Sequence, residues 1–328
     1  MRGGVPGRCL DPTVRRGPPL MPRGVKNIAA SVRQQLLNRA HATNRPFNEI
    51  LQHFAMERFL YRLVKSPHAD RFVLKGALMM LVWKVPMSRP TMDIDLLAYV
   101  DNDIGTLVDI CKAICGQPVE ADGMAFDPAS VEGGRIAEDA EYHGVRVRFR
   151  ANLGTARVLM QLDIGFGDQV VPRPEMAEYP TLLSLPAPRV RGYTRDSVVA
   201  EKFHAMVKRG QLNSRMRDFF DIWLLSRQFA FDGAVLAEAI RTTFQNRDHV
   251  IPAEPVALTA EFARDDLKRK QWQAFVRKSR IDGVPADFAE VVRCVSEFLI
   301  PVVEALAAGQ VFDNSWAVPG PWRPRAVE

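Results

Sequence analysis

Apolar residues recur at intervals of three and four in several segments of the chain, and this spacing predicts amphipathic helices. The first two predicted helices begin near Lys26 and after Pro46. The same pattern predicts helices over Ile104–Cys115 and, after the N-cap candidate Thr194, over Arg195–Arg209. Another covers residues 216–229, and most of the chain beyond it is also predicted to be helical.

Between these helices, shorter apolar or alternating segments predict strands. They are residues 72–74, which lead through Gly76 into a buried helix at 77–83, then 91–100, the pair 135–141 and 144–150, and 157–166. Prolines between residues 172 and 188 predict a loop-rich crossing, and residues 319–325 an irregular end. We therefore predict an α/β (α+β) fold, with a mixed-sheet core at residues 26–194 and a helical C-terminal domain at 195–328.

The composition, 47% hydrophobic and 25% charged over 328 residues, excludes disorder throughout. Four scattered cysteines do not make a disulfide framework, which favours a reducing cytoplasm. No apolar run reaches about 18 residues and no signal-peptide pattern opens the chain, so we expect no membrane segment. Residues 1–25 are predicted to form a disordered basic leader that holds most of the net charge of +6, which leaves the folded part nearly neutral.

Asp93 and Asp95 are the sharpest chemical feature. Residues i and i+2 of a strand face the same side, about 6.5–7 Å apart, so both carboxylates point one way. Mg²⁺ prefers oxygen ligands and often combines one or two carboxylates with substrate phosphates, which suits nucleotidyl transfer. The tripeptide alone is also compatible with a solvated strand face or a turn cap.

Other polar residues interrupt apolar segments nearby. Gly76 lies where a strand turns into a helix and would let backbone N–H groups approach a phosphate beside Lys75, although a tight turn alone would explain it. Asp163 lies in an apolar strand and needs a partner, either a shared metal or an arginine. Lys202 leaves an apolar helix face, either to reach a triphosphate or to snorkel to solvent. Asp218 and Asp221 share one face of the next helix.

These residues resemble, in order, the AbiEii/AbiGii-type nucleotidyltransferase toxins of the DNA polymerase β-like superfamily. The similarity is carried by three stretches over residues 72–225: FVLKGA followed by RPTMDIDL at 89–96, QLDIGFGD at 161–168, and AEKFHA at 200–205 with RDFFD at 217–221. The family often has a second Gly or Ser after the glycine, whereas this chain has Ala77, which removes a possible hydroxyl contact to phosphate. The resemblance implies a nucleotidyltransferase-like mixed sheet with flanking helices.

The resemblance also implies roles for individual residues. Asp93 and Asp95 would hold Mg²⁺ (or Mn²⁺), with Asp163 as the third metal ligand or as the base. Lys202 would contact the triphosphate, and Asp218 or Asp221 would complete the site or hold that lysine. The other NTP contacts would be Lys75, Gly76, Ala77, Arg89 and Thr91.

The function expected from the resemblance is that of a toxin with a cognate antitoxin protein, which transfers nucleotides from an NTP to RNA, most plausibly the 3′ end of tRNA, and so blocks translation and growth. Two alternatives stay open: transfer to a protein or small-molecule hydroxyl, and a non-catalytic RNA- or partner-binding protein of the same fold. For RNA binding, the helix over residues 264–278 offers basic residues interleaved with Trp272 and Phe275, or else only a solvated face.

Overall fold

The computed structural model describes residues 27–85, 91–136, 144–279 and 283–325. The helices in these ranges are α1 Ile28–Thr43, α2 Phe47–Lys65, α3 Leu78–Val82, α4 Ile104–Cys115, α5 Arg195–Arg209, α6 Met216–Gln228, α7 Gly233–Gln245, α8 Ala260–Arg264, α9 Asp266–Ser279 and α10 Phe288–Ala307. The strands are β1 Phe72–Lys75, β2 Ile94–Ala98, β3 Met124–Arg135, β4 Val145–Leu153, β5 Ala156–Phe166, β6 Glu175–Glu178, β7 Arg189–Gly192, β8 Phe231–Asp232, β9 Asn314–Trp316 and β10 Trp322–Pro324.

The main sheet has seven strands in the order β3-β4-β5-β2-β1-β7-β6. It is mixed, because β2–β5 and β1–β7 pair in parallel and the other neighbours pair antiparallel. Strands β8, β9 and β10 form a second, small sheet. The predicted mixed α/β architecture is therefore confirmed.

The two faces of the main sheet are covered differently. On one face, Leu74 and Leu96 pack with apolar residues of α1, α2 and α4. On the other, Val73 and Leu97 pack with the C-terminal helices. Every buried apolar residue of β4 and β5 belongs to the first face, whereas the second face of these two strands carries exposed residues. The C-terminal helices thus cover only part of the sheet and leave a cleft beside β2, β4 and β5.

The helix ends follow local capping chemistry. The Thr194 hydroxyl accepts from the Ser197 backbone N–H and begins α5, and Asp103 does the same for Thr106 in α4. The predicted bounds of both helices are confirmed. Gly210 follows α5 with a positive φ, where a side chain would be strained.

Three strand predictions need correction. The strand that pairs with β4 is β3, which ends at Arg135, so a strand over 135–141 was wrong at its start, and residues 137–141 lie outside the described ranges. The proline-rich crossing contains the short strand β6 and is followed directly by β7, and residues 322–324 of the predicted irregular end form β10, which pairs with β9. The leader at 1–25 lies outside the described residues, and the boundary after Thr194 stays a prediction.

Candidate active site

Three aspartates converge at the open half of the sheet. Asp95 on β2 is in register with Asp163 on the parallel strand β5, and Asp93 directly precedes β2. One carboxylate oxygen from each residue lies within 4.8 Å of the others. The two carboxylates predicted to share a side of the strand are therefore together, and the third joins them from the neighbouring strand.

The three aspartates place negative charges close together at partly buried positions, where ionised groups are costly in free energy. Burial, and next the Asp93 charge beside it, raise the pKa of Asp95 to about 6. The buried Thr91 hydroxyl donates to Asp93 Oδ1 at 2.8 Å and so orients that carboxylate. A cation between these groups would relieve the repulsion, and carboxylate oxygens are the ligands that Mg²⁺ and Mn²⁺ prefer. The residues present therefore fit a divalent metal ion.

Asp163 has an arginine partner. Arg146 on β4 lies opposite Asp163 in the β4–β5 register, and its Nε and Nη2 each donate to one carboxylate oxygen at 2.7 Å. Of the two partners expected for this aspartate, the arginine is thus present. Each carboxylate oxygen keeps a second lone pair, so the pairing leaves room for a metal bond.

Gly76 is required by the close approach of Asp95. Its φ is +70°, and a Cβ at this position would lie 2.0 Å from Asp95 Oδ2. A side chain is therefore excluded both by the backbone conformation and by the carboxylate. Ala77 follows as the N-cap residue of the short helix α3.

Lys202 is held by two buried aspartates. Its Nζ lies 3.1 Å from Asp218 Oδ1 and 2.7 Å from Asp221 Oδ2, and both carboxylates come from the next helix, α6. The lysine side chain is only 12% exposed, so the expectation that it snorkels to solvent was wrong. The two carboxylates supply the hydrogen bonds that water would otherwise provide, together with the counter-charge, and they fix the ammonium group at the cleft wall.

A second ion cluster joins the sheet to the C-terminal helices. Lys75 Nζ lies 3.1 Å from Glu201 Oε1 and 3.3 Å from Asp168 Oδ2. Arg247 Nη2 bridges the same two acids at 3.4 and 3.1 Å. Burial alone would lower the pKa of Lys75, but Glu201, Tyr193 and Asp168 together raise that pKa well above its ordinary value. The lysine is therefore charged and points into this cluster.

His204 lies beside this cluster and is neutral. Burial, and next Arg247 and His249, lower the pKa of His204 to about 3. Arg247 Nη1 lies 3.0 Å from His204 Nδ1 and can only donate, so that nitrogen accepts and Nε2 donates to His249 Nδ1 at 2.6 Å. Both ring nitrogens of His204 are thus engaged by protein groups, which indicates a structural role.

The acidic triad and Lys202 line one cleft of about 480 Å³, together with Lys75, Glu201 and Arg247 of the second cluster. Nine of the predicted site residues line it, namely Lys75, Gly76, Ala77, Thr91, Asp93, Asp95, Asp163, Lys202 and Asp218. Asp221 contacts Lys202, and Arg89 lies outside the described residues. The cleft also has basic residues that sequence reasoning did not assign, which are Arg146, Lys208, Arg209, Arg215, Arg217 and Arg247.

The aromatic residues of α9 do not form a nucleic-acid surface. Trp272 is fully buried and its Nε1 donates to the Pro285 carbonyl, and Lys268 is buried with its Nζ donating to the Asn213 carbonyl. Trp272 and Phe275 belong to the apolar face of α9 that packs into the core, and phosphate binding by the basic residues of this helix stays a prediction. Among the described helices, none combines the length and the apolar character needed to cross a membrane.

The acidic triad suits the transfer of nucleotidyl or phosphoryl groups, because carboxylates hold a divalent cation at substrate phosphates. Lys202, paired with two aspartates, and further basic residues of the same cleft add positive charge that can bind a phosphate. The family described as "Nucleotidyl transferase AbiEii toxin, Type IV TA system" matches residues 58–294, well over half of the chain. The chain therefore belongs to this family and is a nucleotidyltransferase. The family uses a divalent metal ion and an NTP, and membership implies an antitoxin partner.

No protein of curated function matches the chain. Among solved structures, JHP933 from Helicobacter pylori is similar over 77% of this chain and 90% of that chain, with 12% identity and a TM-score of 0.41. A candidate nucleotidyltransferase from H. pylori is similar over 77% and 93%, with 13% identity and a TM-score of 0.40. Neither likeness is close enough to support an argument about function.

Proposed function

We propose that this protein is a Mg²⁺- or Mn²⁺-dependent toxin that transfers a nucleotide from an NTP to RNA, with the 3′ end of tRNA as the expected acceptor. The transfer would block translation and growth in the cytoplasm until a cognate antitoxin protein counteracts it. The observation that carries the proposal is the acidic triad, Asp93, Asp95 and Asp163, in the same cleft as the paired Lys202.

The triad would hold the divalent cation. When bound, the cation supplies positive charge to the triphosphate and neutralises charge that develops during transfer. Arg146 engages both oxygens of Asp163 and orients them, which favours a metal-ligand role for Asp163 over the role of base. The Thr91 hydroxyl holds Asp93 in its orientation, so Thr91 would act on the NTP through Asp93 rather than by direct contact.

The rest of the cleft would position the substrates. Lys202 would contact the triphosphate, since Asp218 and Asp221 fix its ammonium group at the cleft wall. Gly76 and Ala77 line the cleft and would present backbone to a phosphate there. The acceptor hydroxyl would form a new P–O bond at the α-phosphorus, the α–β phosphoanhydride bond would break with its electron pair going to pyrophosphate, and the hydroxyl proton would pass to water in the cleft.

Incubation of the purified protein with each labelled NTP, Mg²⁺ or Mn²⁺, and total RNA tests the proposal. We expect label in a tRNA-sized band with the wild type, and none with Asp93→Asn/Asp95→Asn. Asp109→Asn removes an exposed carboxylate on α4 and is the matched control that keeps activity. Equal labelling by the wild type and the triad variant would refute the assignment of the triad.

The same experiment separates the alternatives. Label on protein or on a small molecule, with none in RNA, would keep the catalytic site and discard the RNA acceptor. A wild type that neither transfers nucleotides nor binds NTP and Mg²⁺ would indicate a non-catalytic protein. Co-expression with the candidate antitoxin then tests whether growth recovers.

A further inference from the structure

Strand β4 carries arginines at alternate positions on the open face of the sheet. Its buried residues face α1, α2 and α4, while Arg148 and Arg150 are exposed on the other side, next to the half-buried Arg146. Alternate residues of a strand are about 6.5–7 Å apart. The face therefore presents a regular row of positive groups that starts at the acidic triad.

The row runs away from the triad in register with β5. Arg146 lies opposite Asp163, Arg148 opposite Gln161, and Arg150 opposite Leu159. The Arg148 Nε donates to Gln161 Oε1 at 3.2 Å, and within the described part of the chain Arg148 has no carboxylate partner. Arg150 pairs with Asp127 at 3.3 Å, but the arginine side chain is 65% exposed and the aspartate 34% exposed, and a pair this open to water is weak and screened by salt.

Exposed apolar side chains accompany the row. Leu159 is 63% exposed between Arg157 and Gln161, which lie on the same face of β5. Met92, which directly precedes Asp93, is 54% exposed. The side-chain amide of Gln52 donates to the carbonyls of both Met92 and Leu159, at 3.1 and 3.2 Å, which keeps these two residues adjacent. The two exposed side chains offer apolar surface against which an unstacked base could pack.

We propose that these four residues, Arg148, Arg150, Leu159 and Met92, form an acceptor strip that holds the last nucleotides of a single-stranded RNA. The inference rests on the proposed function and adds where the acceptor lies. The two arginines would contact successive phosphates, because their spacing is comparable to that of phosphates in an extended strand. The apolar pair would contact the faces of the unstacked bases next to the reacting 3′ hydroxyl.

The test compares Arg148→Gln/Arg150→Gln with Arg241→Gln/Arg293→Gln, which removes two exposed arginines from α7 and α10, outside the cleft. Binding of a short single-stranded RNA is measured by fluorescence anisotropy from about 50 to 200 mM salt. Each phosphate contact contributes about −0.7 to the log–log slope, so the strip variant should lose about 1.4 of slope. Over that range, the wild type should lose about sevenfold more affinity than the strip variant.

Transfer kinetics provide the second measurement. The strip variant should raise KM for RNA about tenfold or more, while NTP affinity and kcat at saturating RNA stay within about twofold of the wild type. Arg148→Lys/Arg150→Lys should restore most of the slope, because a phosphate contact needs the charge. If the wild type labels RNA but the strip and control variants have equal slopes and KM, the strip is wrong and the proposed function stands. If the wild type neither binds nor labels RNA, both are overturned.

Discussion

Gly76→Ala probes the position of Asp95 without changing the charge of the site. The added methyl would lie 2.0 Å from Asp95 Oδ2, whereas real Cβ contacts stay beyond 3.0 Å. The carboxylate must therefore move by about 1 Å, and a misplacement of that size costs about 100-fold in rate. The positive φ also strains any alanine at this position, at a cost of about 1–2 kcal/mol in the free energy of unfolding.

Gly309→Ala separates the two effects. Gly309 has a φ of +67°, close to that of Gly76, but a Cβ there would have no heavy atom within 4 Å. We expect both variants to lose similar backbone stability by urea denaturation, while only Gly76→Ala loses nucleotidyl transfer and weakens Mn²⁺ binding by calorimetry. The measurements belong at a temperature where both variants are folded. Activity of Gly76→Ala within about threefold of Gly309→Ala would refute the argument that this turn sets the position of Asp95.

Four further variants test paired or buried charges. Asp221→Asn should lower the free energy of unfolding by only about 1–3 kcal/mol in urea denaturation, since Asp218 still pairs with Lys202. Lys202→Met should lower kcat by about 100-fold or more, and a fully active variant would contradict the role of this lysine. Glu201→Gln should lower stability through Lys75, and an unchanged melting temperature would count against the cluster. Burial, against hydrogen bonds from Leu182 and Arg58, raises the pKa of Glu57 from 4.5 to about 7. Between pH 4.5 and about 7 the native state therefore binds this proton more strongly than the unfolded chain does, and the free energy of unfolding falls as the pH rises through that range. Glu57→Gln should remove up to about 3 kcal/mol of that fall, which urea denaturation at a series of pH values measures.

Short-range patterns in the sequence were sufficient for the elements that carry the triad and Lys202. Helix periodicity and the cap at Thr194 predicted α5, and the alternation around Asp93 and Asp95 predicted β2. These patterns work because each depends on residues within a few positions of one another. Strands β6 and β7 were missed because each has four residues and lies in a proline-rich segment whose pairing is set by distant strands.

The long-range ion cluster could not be derived from local patterns. Lys75, Asp168, Glu201 and Arg247 come from four separate segments, and nothing in the sequence around Arg247 marks it as a partner of the other three. Arg146 is different, because alternate arginines in a predicted hairpin strand are visible in the sequence. Its pairing with Asp163 required the strand register, which depends on the turn between β4 and β5.

A row of four charged residues crosses the centre of the main sheet and contains two of the three triad aspartates. Four charged residues occupy adjacent positions on β1, β2, β5 and β4, with two negative groups between two positive ones: Lys75, Asp95, Asp163 and Arg146. The outer two charges have partners, since Lys75 meets the acids at the C-terminal helices and Arg146 meets Asp163. The two central carboxylates lie next to each other and to Asp93. Arg146 at Asp163 and Lys75 opposite Asp95 offset only part of their mutual repulsion, since the pKa of Asp95 is still raised to about 6. The fold thereby holds the acidic triad in a geometry that a divalent cation stabilises, and we expect Mg²⁺ or Mn²⁺ to raise the melting temperature of the wild type but not of Asp93→Asn/Asp95→Asn.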